Sequence, residues 1–187
     1  MAVITIPSDA EIREVYLPYV QAVGEVAHSW NYLIESLGEL FAEVVNKDER
    51  RVVLATWFSV PSDRMQMSML KGALTASAED RWLPRLPRAR EDLIWLVDRA
   101  NSLADDRNNA VHAPCTLFVT GEGAEMGASF WSGNPRARKL EGKQLLAEFQ
   151  YCRDYAERLT KFARYTWSAL ASEKVSWPDR PDTPQRG

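Results

Sequence analysis

Histidine and cysteine are scarce in this chain of 187 residues, two of each, and that scarcity removes whole classes of chemistry. A three-histidine metal site cannot be assembled within one chain, and Cys115 and Cys152 stand in no spacing used by zinc sites or disulfide frameworks. Two such cysteines read as small buried hydrophobes of a reduced, cytoplasmic protein. There is no glycine-rich phosphate loop of either common type, no paired-histidine zinc motif and no serine in a nucleophile elbow. No apolar run reaches the ~18 residues of a membrane span, and residues 1–7 show neither the basic region nor the apolar stretch of a secretory leader. An excess of positive charge is missing as well. The formal net charge of -3 disfavours a protein that coats nucleic acid nonspecifically, but it leaves room for a local basic site.

What is present is a succession of amphipathic helices. Ser8 followed by Glu11 forms a capping box. From Val20 through Val23, Ala27, Trp30, Ile34, Leu37, Phe41 and Val44, apolar residues recur every three or four positions, predicting a long helix that ends near Asn46, with Pro18 as a point where it can kink or restart. A short helix follows through Val53 and Trp57. After Pro61 comes another, with Met65, Met69, Leu70 and Leu74 expected on its core face. A proline-rich linker carrying Trp82 and Arg81, Arg85 and Arg88 leads to a helix from about Ala89 to His112. The period then changes to two, so residues 116–131 read as a β-hairpin turning at Gly121-Glu122-Gly123. The dense basic run Arg136-Ala137-Arg138-Lys139 precedes a final long helix from about 141 to 172. The expected architecture is an all-α bundle of about five helices, with a small β-hairpin inserted before the last. It occupies residues 1–174, and 175–187 form a flexible polar tail.

Chemistry is suggested at one place. Leu93, Val97, Ala100 and Ala104 make an apolar stripe, and counting on by three and then four reaches Arg107 and Val111. A guanidinium thus stands where an apolar side chain is expected. It cannot be neutralised, so it needs carboxylates, carbonyls or a visiting anion. Asn108 follows it, and His112 closes the helix just before Pro114. On a regular helix Asn108 and His112 share a face, whereas Arg107 and His112 point about 140° apart. The two can meet one phosphate only if the last turn unwinds or if two copies of the helix come together. The plainer account is a helix end with a cation set against the dipole and asparagines finishing the turn. Arg81, Arg85, Arg88, Arg136 and Arg138 are candidate contacts for a phosphate backbone, or else solvated surface. His28, Asn31 and Glu35 on the first helix are ordinary helix residues or support for the Arg107 site.

Arg107-Asn108-Asn109-Ala110-Val111-His112 resembles the signature of the HEPN superfamily: an arginine, a polar residue directly after it and a histidine four to six residues beyond, near the end of a long helix in a bundle of four or five. The resemblance implies a metal-independent endoribonuclease without cofactor, often a toxin or phage-defence nuclease, that works as a homodimer with its two motifs facing each other. Its partners would be an RNA substrate and an antitoxin or other regulatory protein, with no membrane involved. Arg107 would hold the scissile phosphate, Asn108 would orient a neighbour or a phosphate oxygen, and His112 would move a proton as the ribose 2′-hydroxyl attacks, leaving a 2′,3′-cyclic phosphate. Some members of the superfamily do not cut, so a non-catalytic HEPN-like interaction protein stays open. So does a nucleotide-binding bundle with His28, Trp30 and Arg107 around a pocket.

Overall fold

A computed structural model describes residues 8–78, 85–120, 123–129, 131 and 133–186. It opens with the capping box: Ser8 N donates to Glu11 Oε2 at 2.7 Å, and Glu11 N donates back to Ser8 Oγ at 3.4 Å. α1 then runs unbroken over Asp9–Asn46 with Pro18 inside it. α2 (Arg50–Ser59), α3 (Asp63–Ala76) and α4 (Ala89–His112) follow, then the antiparallel strands β1 (Cys115–Thr120) and β2 (Gly123–Ala128), α5 (Pro135–Lys139) and α6 (Leu145–Ala171). About 71% of the described residues are helical, in six helices with one hairpin, a mostly-α bundle.

Two elements differ in detail from the sequence pattern. The basic run is itself a short helix, α5, because Asn134 Oδ1 accepts from the backbone N of Arg136 and Ala137 at 2.9 and 3.3 Å, with Pro135 at the first position. The second strand begins at Gly123, the last residue of the expected turn, and the register pairs Cys115 with Ala128 through Thr120 with Gly123. Gly127 makes that register possible. A β-carbon there would lie 2.6 Å from the Phe118 ring, which also meets Trp131 edge-on at 5.3 Å between centroids.

By their contacts the residues group into two compact units, Ser29–Ala104 with Tyr155–Thr183, and Met1–His28 with Asp105–Asp154 and Pro184–Gly187. The first, larger unit holds the heavy core, with Trp30, Leu33, Leu37, Leu40, Trp57, Met67, Leu70, Leu93 and Leu96 fully buried. Met67 takes the core place expected of Met65, which is exposed. Gly38 lets the indole of Trp57 lie against α1, since a β-carbon there would sit 2.9 Å from Trp57 Nε1. The linker arginines finish helices: Arg85 donates to the carbonyls of Ala169 and Leu170 at 2.9 and 3.2 Å, and Arg90 donates to those of Leu74, Thr75 and Ser77. These are the carbonyls that a helix C-terminus leaves without partners. The second unit is built on Val26, Met126, Ala137, Leu140, Leu145, Phe149, Tyr151 and Cys152.

The stretch after α6 differs from a flexible tail. Asp92, 1% exposed, accepts from Trp177 Nε1 at 2.7 Å and from Arg180 Nε at 2.5 Å. Arg180 also lies over the Trp95 ring, Arg88 pairs with Asp179 at 3.1 Å, and Arg158 donates to the Asp182 carbonyl at 3.1 Å. The polar composition conceals this because the anchor residues are isolated and their acceptor lies more than eighty positions upstream. Asp92→Ala leaves the Trp177 indole and the Arg180 guanidinium without their acceptor. Unfolding in urea followed by tryptophan fluorescence is expected to show a loss of about 2 to 3 kcal/mol. An unchanged midpoint would mean that the tail anchor contributes nothing.

Candidate functional site at the end of α4

The stripe on α4 is buried as its spacing demands, with Leu93, Val97, Ala100 and Ala104 between 0% and 3% exposed. The next positions on it, Arg107 and Val111, are half-buried. The helix does not unwind: it is regular through His112, and Ala113 N still donates to the Asn109 carbonyl at 3.0 Å. The chain then turns into β1, and Ser129 N donates to the Pro114 carbonyl at 2.8 Å. An intact helix keeps Arg107 and His112 about 140° apart. Arg107 Nη1 donates to Asn108 Oδ1 at 2.8 Å, so the polar residue after the arginine is turned toward the guanidinium. His112 is exposed and Asn109 is buried. Within one chain the structure therefore joins Arg107 to Asn108 but not to His112.

The charges around Arg107 come from residues that the sequence gave little reason to group. Arg186 donates to Asp106 Oδ2 at 2.5 Å and to Glu148 Oε2 at 3.2 Å, and its guanidinium lies 4.3 Å from the centre of the Tyr151 ring. Lys143 Nζ donates to the same Glu148 oxygen at 3.1 Å. Burial pushes the Asp106 carboxyl upward from its ordinary value. Arg186 and Lys143 pull it back, and Glu148 adds to the rise. The Cys152 thiol is pushed up to about 12, first by burial and then by Asp106, with Arg107 and Arg186 opposing and Glu148 reinforcing. That one thiol feels all four groups, which places Arg107 in the same cluster as Asp106, Glu148 and Arg186. The only sequence signal for the cluster is that Asp106 directly precedes Arg107.

A cleft of about 310 Å³ flanks the end of the helix, lined by Tyr16, Tyr19, Val20, Ala110, Val111, Ala113 and Phe149 among others. Burial raises the Tyr19 hydroxyl, and Glu125 and Cys115 add to the rise.

The remaining candidates separate. Arg136 and Arg138 are exposed on α5, in the same unit as Arg107 and His112. Arg85 and Arg88 belong to the larger unit, where helix carbonyls and Asp179 engage them. Arg81 lies outside the described residues. His28 is exposed in the motif's unit, whereas Asn31 and Glu35 are exposed in the larger one, where Glu35 borders a cleft of about 390 Å³ with Glu39, Arg50, Arg164 and Trp167. Trp30, in the larger unit, is 1% exposed and donates to Asp63 Oδ2 at 2.7 Å. Among the described residues no three His, Cys, Asp or Glu side chains cluster so as to hold a metal ion, and no helix is long and apolar enough to cross a membrane. Comparison with protein-family models, with characterised proteins and with solved structures finds no match to this chain.

At pH 8 a thiol with a pKa near 12 is ionised in about one molecule in ten thousand. Cys152 is expected to resist a thiol reagent until the protein unfolds, while the half-buried Cys115, raised by burial alone, reacts slowly but measurably. Prompt labelling of Cys152 in the native protein, read by peptide mass spectrometry, would contradict this description of the cluster.

Proposed function

We propose that this chain is a metal-independent endoribonuclease of HEPN type that works as a homodimer. The observation that carries the proposal is Arg107: a guanidinium on the core-facing stripe of α4, oriented by Asn108, with an exposed histidine five residues further along an intact helix. In this reading the 2′-hydroxyl attacks the adjacent phosphorus, and His112 takes its proton or gives one to the departing 5′-oxygen. Arg107 stabilises the negative charge that gathers on the phosphorane. The leaving oxygen departs as a 5′-hydroxyl and the other product ends in a 2′,3′-cyclic phosphate. Tyr16 and Tyr19 border the cleft beside the helix end and offer faces on which a base can stack. Arg136 and Arg138 supply exposed positive charge in the same unit. Toxin or defence roles, and control by an antitoxin, belong to the same proposal.

Because α4 stays helical, the site must be shared, with Arg107 of one copy beside His112 of the second. Either substitution alone, Arg107→Ala or His112→Ala, is expected to lower cleavage of single-stranded RNA in EDTA by about a hundredfold or more. Co-refolding equal amounts of the two variants distinguishes a shared site from a single-chain one. Random pairing makes half the dimers mixed, each with one complete site, so about a quarter of the unaltered activity returns. No cleavage by the unaltered protein, or activity indifferent to both substitutions, overturns the proposal. Failure of the mixture to recover overturns the shared site.

A second reading, a non-catalytic helical interaction protein, draws on the exposed Tyr16, Leu17 and Val20 of α1, at 52%, 59% and 47%. It predicts a stable oligomer whose biological effect survives His112→Ala.

A further inference from the structure

Two carboxylates stand in the cluster that contains Arg107. Asp106 is its sequence neighbour, and Glu148 reaches in from α6. Left alone they would place two negative charges where a phosphate is to bind. Both are engaged by Arg186, near the chain's end, at 2.5 and 3.2 Å, and its guanidinium lies 4.3 Å from the centre of the Tyr151 ring. A lysine could not reproduce the whole arrangement. Nζ can meet one or both carboxylates, but it lacks the flat fork that spans two acceptors while lying on a ring.

We propose that Arg186 is a positioning residue of the Arg107 site: by neutralising Asp106 and Glu148 it keeps the potential beside Arg107 favourable to a phosphate. The proposal rests on the ribonuclease reading and adds a residue that lies far outside the motif in sequence. Lys143 already takes part of Glu148, so Asp106 is the group that depends most on Arg186. The charged and titratable groups facing Asp106 are Glu148, Tyr151 and Cys152 from α6, Lys143 from the loop before it, Arg186 from the C-terminal segment, and Arg107 on α4 itself. Removing Arg186 removes the main influence that holds the Asp106 carboxyl down against burial and Glu148. The carboxyl then ionises only at higher pH. Its unfavourable charge is present at pH 7.5 and is lost as the pH falls through that raised value.

The test uses the full-length dimer and a fluorescent single-stranded 2′-O-methyl oligoribonucleotide of mixed sequence, which lacks the attacking hydroxyl and reports binding alone. At pH 7.5 and low salt, Arg186→Gln is expected to weaken binding about tenfold, and Arg186→Lys about threefold or less. On acidification the deficit of Arg186→Gln relative to the unaltered protein should shrink, as Asp106 takes up a proton. Effects common to all variants cancel in that ratio. Cys152 labelling is run beside each variant. Binding that is lost in Arg107→Ala but unchanged in Arg186→Gln overturns this inference and leaves the ribonuclease reading standing. Equal loss in both Arg186 variants, independent of pH and accompanied by fast Cys152 labelling, also overturns it, since that is a packing defect. Binding indifferent to Arg107→Ala, or absent from the unaltered protein, overturns the reading and the inference together.

Discussion

The constraint on which the candidate site depends is the regularity of α4 through His112. Had Pro114 unwound the last turn, the arginine and the histidine could have closed on one phosphate within a single chain. The helix instead keeps its final bond from Ala113 N to the Asn109 carbonyl, and the Pro114 carbonyl is held by Ser129 from the hairpin. The hairpin therefore fixes how the helix ends. It takes over the direction of the chain immediately after His112, so the turn has no need to open. The 140° that a helix imposes over five residues then becomes a statement about stoichiometry: any chemistry that uses both side chains needs a second copy.

A half-buried guanidinium also imposes terms on its neighbours. Arginine does not shed its proton, so the surroundings must supply balancing charge or dipoles. Here the balance is collective. Asp106 and Glu148 bring two negative charges and Arg186 and Arg107 two positive ones, with Lys143 at the edge beside Glu148. Cys152 stays a neutral thiol in their midst because burial and the carboxylates outweigh the guanidiniums. Such a cluster is sensitive to the loss of any one member, because each buried charge is tolerable only while its partners remain.

Much of the helical framework was legible in the sequence because its signals are local. The Ser8 and Glu11 capping box, the limits of α4 and the stripe from Leu93 to Ala104 all depend on residues within a turn or two of one another. The arginine on that stripe was legible for the same reason, since it interrupts a regular count. What stayed hidden is long-range. Trp177 and Arg180 stand singly among polar residues, and their acceptor is Asp92, whose burial no local pattern announces. For Arg85 and Arg88 the sequence left open phosphate contacts or solvated surface; Arg85 finishes the C-terminus of α6 and Arg88 meets Asp179. The hairpin register turned on Gly127, whose missing side chain makes room for Phe118, and alternation by itself cannot reveal such an accommodation.

These reassignments change what the net charge of -3 means for an RNA-binding reading. Averaged over the chain, it counts arginines that neutralise Asp92 and Glu91 or satisfy helix carbonyls, and none of those is available to a ligand. The relevant quantity is the charge left exposed near the motif. In that unit α5 presents Arg136, Arg138 and Lys139 to solvent, while Asp106 and Glu148 are engaged by Arg186 and Lys143. Exposed charges act through water and are screened within about 10 Å at ordinary salt, so the charges immediately around an anion site weigh more in its affinity than the net charge does. An acidic protein can in this way carry an anion site without a basic composition.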